Sequence, residues 1–178
     1  MKFKETKIKG VYVIELETKN DERGFFARTF SEKELKKHKI DFRIRDVNRS
    51  FSSKKGTIRG MHFQIKPKAE GKIIFCLRGK IYNVAIDLRS RSKTYRKWVS
   101  VELSENNRRM LLVPAGFANG CQTLTDNCEL QYFMSEFYSP EHASGVRWDD
   151  PVFKIKWPLT VSNISNKDKN WPLLEEVF

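Results

Sequence analysis

Apolar and polar residues alternate with a period of two along most of this chain, the spacing of strands that bury one face. Val11 and Val13 alternate with Tyr12, Ile14 and Leu16 between Gly10 and the polar turn TKNDERG, which predicts a first strand. FFARTF, residues 25–30 after Gly24, predicts a second. Ser31 followed three residues later by Glu34 is a capping-box signature, so SEKELKKHK is read as a helix of about two turns, its lysines on a solvated face. From Phe42 the period returns to two. FRIRDVNRS, TIRGMHFQI, KIIFCLRG, KIYNVAIDLR, KWVSVELS, RRMLLVPAG, CQTL and CELQYFMSEFY follow one another, separated by turn signals. Beyond Ser139 come loops rich in Pro and acidic residues, and residues 159–178 read as a C-terminal tail. Short strands with a turn about every 8–12 residues and one brief helix predict an all-β sandwich or barrel rather than alternating βαβ units.

Within that pattern the stretch TIRGMHFQ, residues 57–64, carries ionisable residues on a predicted strand. Strict alternation puts Ile58, Gly60, His62 and Gln64 on one side and Thr57, Arg59, Met61 and Phe63 on the other. His62 then stands in a row of small, apolar and amide residues. An imidazole facing such an interior calls for a chemical reason.

The 178 residues are expected to form a single domain, with no linker-like stretch to divide them. The formal charge of +12 suits an anionic partner, whether nucleic acid, a membrane surface or a phosphorylated small molecule, and does not choose among them. Basic residues are spread along the sequence rather than gathered in a stripe, and the aromatics alternate as core residues do, so nucleic acid is not the expected partner. No run approaches the roughly 18–20 apolar residues of a membrane span, and the N-terminus lacks the apolar core of a signal peptide, so a soluble cytoplasmic protein is expected, without membrane partners. Cys76, Cys121 and Cys128 form no CxxC pair and read as reduced core residues.

The ionisable or polar residues expected to point inward or to lie by glycines and strand ends are His62, Lys72, Tyr132, Arg23, Asn48 and Arg59. A neutral imidazole suits proton abstraction near neutral pH, and a carboxylate behind it would fix its tautomer. A metal site would instead want three or four converging His or carboxylate ligands. His38 falls in the helix, His142 in a loop and His62 alone on its strand, and Asn119 stands in PAGFANG where a ligating histidine would be needed, so no metal ligands are assigned.

Taken together, RGFF, RGMHFQ, GKIIFCLRGKIYNVAIDLR, WVSVELSENNRR, PAGFANG, RWDDP and NKD resemble, in order and spacing over residues 8 to 168, the dTDP-4-dehydrorhamnose 3,5-epimerase family. The resemblance implies a cupin jelly-roll with one or two short helices, a homodimer that exchanges N-terminal strands, and epimerisation of a nucleoside-diphosphate 4-keto-6-deoxy sugar without a metal or other cofactor. It further implies that His62 is the base, Asp168 the carboxylate that orients it, Lys72 the cation beside the enolate oxygen and Tyr132 the acid on the other side. Arg23, Asn48 and Arg59 correspond to positions that hold the diphosphate or sugar, and Phe26, Arg28, Asp46, Gln64 and Asn119 to further substrate positions. A metal-dependent cupin enzyme and a non-catalytic binder are the alternatives of other classes. Asn119 replaces the family's usual histidine, Arg28 a glutamate and Asp46 a glutamine of many thymidine-nucleotide members. A thymine imide N–H needs an acceptor, which Arg28 lacks, whereas cytosine offers acceptors, so a CDP-sugar and inversion at C3 alone are the alternative expectation.

Overall fold

A computed structural model describes residues 1–177. The strands are β1 (Lys2–Glu5), β2 (Tyr12–Glu15), β3 (Lys19–Asp21), β4 (Gly24–Phe26), β5 (Asp46–Ser52), β6 (Thr57–Gln64) and β7 (Lys72–Arg78), then β8 (Lys80–Asp87), β9 (Trp98–Ser104), β10 (Arg109–Val113), β11 (Phe117–Thr123), β12 (Cys128–Met134), β13 (Ala143–Gly145) and β14 (Asn163–Ile164). Three short helices accompany them, α1 (Glu32–Lys37), α2 (Asn166–Lys169) and α3 (Leu174–Val177).

From β5 to β8, and again from β9 to β12, successive strands pass between two sheets, with β8 and β9 paired as neighbours in one of them. The first sheet runs β1-β2-β10-β7-β12-β5, and the second runs β13-β6-β11-β8-β9 with β14 beside β6. Strands that change sheets in this way, face to face, make a jelly roll, the all-β cupin-like sandwich expected. Period-two alternation gives each sheet two apolar faces. Inward, Val13, Leu111 and Ile74 of the first sheet meet Ile81, Ala85, Leu103 and Phe117 of the second. Outward, Ile14, Met110, Ile73 and Phe133 are covered by Leu35 of α1 and by Phe42, while Met61, Phe63, Val84 and Ile86 are covered by Val146, Phe153 and Leu174.

Ser31 caps α1 by accepting from the Glu34 N–H, but the Glu34 carboxylate turns to Lys37 instead of completing a reciprocal box. The strand expected over FFARTF stops at Phe26, and residues 42–45 precede β5 in irregular chain, because Phe30 and Phe42 leave the sheet to pack over its outer face. Residues 159–177 are not a loose tail. They supply β14, α2 and α3, closing the outer face of the second sheet, and only Phe178 of that segment lies outside the described residues.

Candidate active site

The strict alternation expected for β6 fails at one place. Asn119 pairs with His62 and Cys121 with Arg59, so Gly120 faces both Gly60 and Met61 across a bulge. One extra residue reverses the parity. Arg59 and His62, expected on opposite faces, now share the face that lines a cavity of about 550 Å³ between the sheets. Gly60 makes the bulge possible: its φ is +136°, and an added Cβ would stand 2.5 Å from the Gly120 Cα.

His62 is fixed by the segment that reads as a polar tail. Ser165 caps α2 by accepting from the Asp168 N–H at 3.1 Å, and this short helix turns the Asp168 side chain inward, where it is buried. His62 Nε2 and Asp168 Oδ1 are 2.6 Å apart, and Asp168 also accepts from the Gly60 N–H at 3.1 Å and from Trp171 Nε1 at 3.3 Å. Burial alone would raise the Asp168 carboxyl. The hydrogen bond and charge of His62, with the Gly60 and Trp171 donors, outweigh it and hold the group below the ordinary aspartate value. With Nε2 committed to Asp168, Nδ1 is the nitrogen left for a reacting proton. Trp171 stands edge-on to the imidazole with ring centroids 6.2 Å apart, and it lies against Gly145, where any side chain would collide with it.

The opposite wall comes from the first sheet. Asn48 pairs with Tyr132, and two pairs further along Asp46 pairs with Met134, which pairs in turn with Lys72. Tyr132 shares with His62, Asn48, Arg59 and Lys72 an inner chamber of about 240 Å³. The Tyr132 hydroxyl shares a 3.0 Å hydrogen bond with Ser50 Oγ. Burial, with a smaller contribution from Cys121, raises the phenol above its usual value against the opposing Ser50 bond. Lys72 Nζ lies 2.9 Å from Glu70 Oε1, and both side chains are largely buried at the cavity. Arg59 is braced by Ser52 Oγ and the Phe51 carbonyl at 2.9 and 2.8 Å.

Of the expected substrate residues, Asp46, Asn48, Arg59 and Gln64 line the outer cavity, and Asn119 the inner chamber. Gln64 also has a structural task. Its amide donates to the Lys68 and Phe137 carbonyls and accepts from the Ser139 N–H, so it ties down the loop beside the cavity. Asn119 donates to Asn83 Oδ1 and the Val84 carbonyl, which leaves its own oxygen as the acceptor it can offer. Arg23, Phe26 and Arg28 are not brought to the cavity within one chain: they lie exposed on and beside the β3–β4 hairpin, where Arg23 pairs with Asp21.

Ser50, Glu70, Asn83, Lys167 and Trp171 also line the site, and sequence reasoning missed them. A signal existed for three. Ser50 stands two residues from Asn48 and hence on the same face of β5, Glu70 stands two residues before Lys72 where β7 begins, and Trp171 stands three residues from Asp168. Among the described residues no group of three or more His, Cys, Asp or Glu converges as a metal site would require.

The arrangement sets an imidazole and a phenol on facing sheets with an ammonium beside them, which suits removal of a proton from one side of a bound ring and its return on the other. The sequence model of dTDP-4-dehydrorhamnose 3,5-epimerase matches residues 5–176. A curated protein of that name from Methanothermobacter thermautotrophicus is 43% identical over 178 residues, covering 98% of this chain and 95% of the relative. The crystal structure of dTDP-4-dehydrorhamnose 3,5-epimerase from Bacillus anthracis with TDP and PPi bound superposes with a TM-score of 0.94 at 41% identity, covering 97% of this chain and 99% of the other. The Legionella pneumophila 3,5-epimerase in complex with dTDP-4-keto-L-rhamnose gives 0.94 at 34% identity, covering 99% and 94%.

Proposed function

The chain belongs to the dTDP-4-dehydrorhamnose 3,5-epimerase family, and from that premise we propose that it is an isomerase of a nucleoside-diphosphate 4-keto-6-deoxyhexose, inverting C3 and then C5. The observation that carries the reading is the placement of His62 and Tyr132 on opposite sheets of one chamber. His62 Nδ1 takes the C3 proton, and the electron pair moves into the C3–C4 bond while the C4 carbonyl becomes an enolate oxygen. The Lys72 ammonium donates to that oxygen. Tyr132 then delivers a proton to the other face of C3, the carbonyl re-forms, and solvent exchange restores both groups. No electron is gained or lost overall. The same sequence at C5, after the ring has turned, completes the second inversion.

The diphosphate is expected at Arg59 and Lys167, cations that line the cavity. Arg23, Phe26 and Arg28 join it from a partner in a homodimer. Support comes from the exposed hairpin and from the edge strand β5, where Phe25, Phe26, Val47 and Phe51 are all more than half exposed.

A second reading concerns the base. Arg28 offers only donors, which suit N3 and O2 of cytosine, whereas Asp46 lines the cavity as an acceptor with no hydrogen-bond or ion-pair partner among the described residues and can meet either the N4 amine of cytosine or the imide N–H of thymine. Incubation with a dTDP-linked 4-keto-6-deoxyhexose and its CDP counterpart, followed by borohydride reduction and sugar analysis, tests both points. Products inverted at C3 and C5 are expected, inversion at C3 alone would limit the activity to one centre, and recovery of only the starting configuration would refute epimerisation. The kcat/KM ratio between the two nucleotides identifies the base.

A further inference from the structure

Glu70 is a buried carboxylate in a cavity that must stabilise negative charge, a placement that needs explaining. A carboxylate there would oppose an enolate unless its charge were already committed. It is committed: Oε1 lies 2.9 Å from Lys72 Nζ, with side-chain exposures of 7% and 12%. Glu70 lies two residues before Lys72, the first residue of β7, and their contact puts both side chains on the same side. Between them Gly71 is clamped to the end of β12, its N–H donating to Ser135 Oγ at 2.6 Å and its carbonyl accepting from the Ser135 N–H at 3.0 Å. The backbone that presents both side chains is therefore fixed at the residue joining them.

A lysine ammonium is a point charge on a flexible four-carbon stem with three donors. Left alone in this cavity it could also turn toward Asp46, which stands in the same row across Met134. We propose that Glu70 is a positioning residue that takes one Lys72 N–H and so aims the remaining donors at the enolate oxygen. The proposal rests on the epimerase reading for its kinetic consequence but not for the contact itself. A misplaced charge costs most where charge develops, in the transition state, so the loss falls on kcat rather than KM.

Two readouts separate the contact from the reaction. In steady-state turnover, Glu70→Ala lowers kcat about tenfold or more with KM within about twofold. Glu70→Gln, whose amide oxygen still accepts from Lys72, recovers most of that loss. Should Glu70→Ala melt below the assay temperature, Glu70→Asp, with its carboxylate one methylene shorter, carries the same test and also loses kcat. In reductive methylation of the intact, substrate-free protein followed by mass spectrometry, Lys72 reacts several times faster in Glu70→Ala than in the wild type, with Lys19 as the internal reference. Unchanged kcat and unchanged Lys72 labelling would overturn the proposal, as would a Gln variant as impaired as the Ala variant. If the wild type turns over no sugar nucleotide, the epimerase reading falls, and the labelling still decides whether Glu70 holds Lys72.

Discussion

At the scale of single residues, His62 and Tyr132 are held by different neighbours. Asp168 holds the imidazole through Nε2, while burial raises the Tyr132 phenol further above a usual value at which it is already protonated at neutral pH. Removing the orienting carboxylate should cost catalysis more than binding. Asp168→Ala is expected to lower kcat about 100-fold or more with little change in KM, measured by steady-state kinetics. Tyr132→Phe removes the proton donor but leaves the base. It should slow inversion more than exchange of the substrate C3 proton with solvent, and an equal fall in both rates would take Tyr132 out of the acid role. Arg59, His62, Lys72 and Tyr132 were legible as candidates from their places on predicted strands, and Asp168 only through the family resemblance. Their supports carried a spacing signal but no sign of their task. Ser50 and Glu70 look like ordinary polar residues until the fold shows which side chain each one holds.

At the scale of elements, the bulge in β6 decides the site. Alternation alone sends Arg59 away from His62, and nothing in TIRGMHFQ other than Gly60 signals that an extra residue will be accommodated opposite Gly120. Gly60→Ala is therefore expected to be costly in two ways. An alanine at φ +136° with its Cβ against the Gly120 backbone should lose about 2 kcal/mol or more, a fall in Tm of roughly 5 °C, and should misalign Arg59 with His62 so that activity falls further than stability. A variant with wild-type Tm and kcat would show that the bulge does not set the site. Most strands could be read from period-two alternation because each buries a face against a sheet partner. FFARTF misled because its alternating apolar residues serve two different surroundings: Phe25 stacks beneath Arg108 at the exposed hairpin, while Phe30 packs on Phe42 and Phe133 over the first sheet. The segment 159–177 looked like a polar tail because its few apolar residues lack a period, and they gain meaning only against the outer face of the second sheet.

At the scale of the whole molecule, two consequences follow. The first is acid sensitivity. Asp87 is fully buried, and although burial raises its carboxyl, donors from Arg89, Ser92 and Thr94 outweigh it and bring the group to about 2. A depressed carboxylate contributes stability that is fully present above its unfolded value near 3.8 and is lost as pH falls through the folded value, here between about pH 4 and pH 2. Urea unfolding should therefore show about 2 kcal/mol less stability at pH 2 than at pH 5 from this group, a difference that Asp87→Asn removes. The second concerns assembly. If the hairpin of one protomer completes its partner's cavity, His62→Ala and Arg23→Ala proteins are each impaired, and mixing them after reversible dissociation restores about a quarter of the sites. No recovery, despite exchange of subunits, would place Arg23 outside the partner's site. The central claim, that His62 removes a proton next to a sugar ketone, is tested most directly by proton NMR of a 4-keto-6-deoxy sugar nucleotide in deuterated water. The account predicts that the C3 signal, followed by the C5 signal, disappears with catalytic amounts of the wild type and persists with His62→Ala; persistence with the wild type, or loss at an equal rate with His62→Ala, would contradict it.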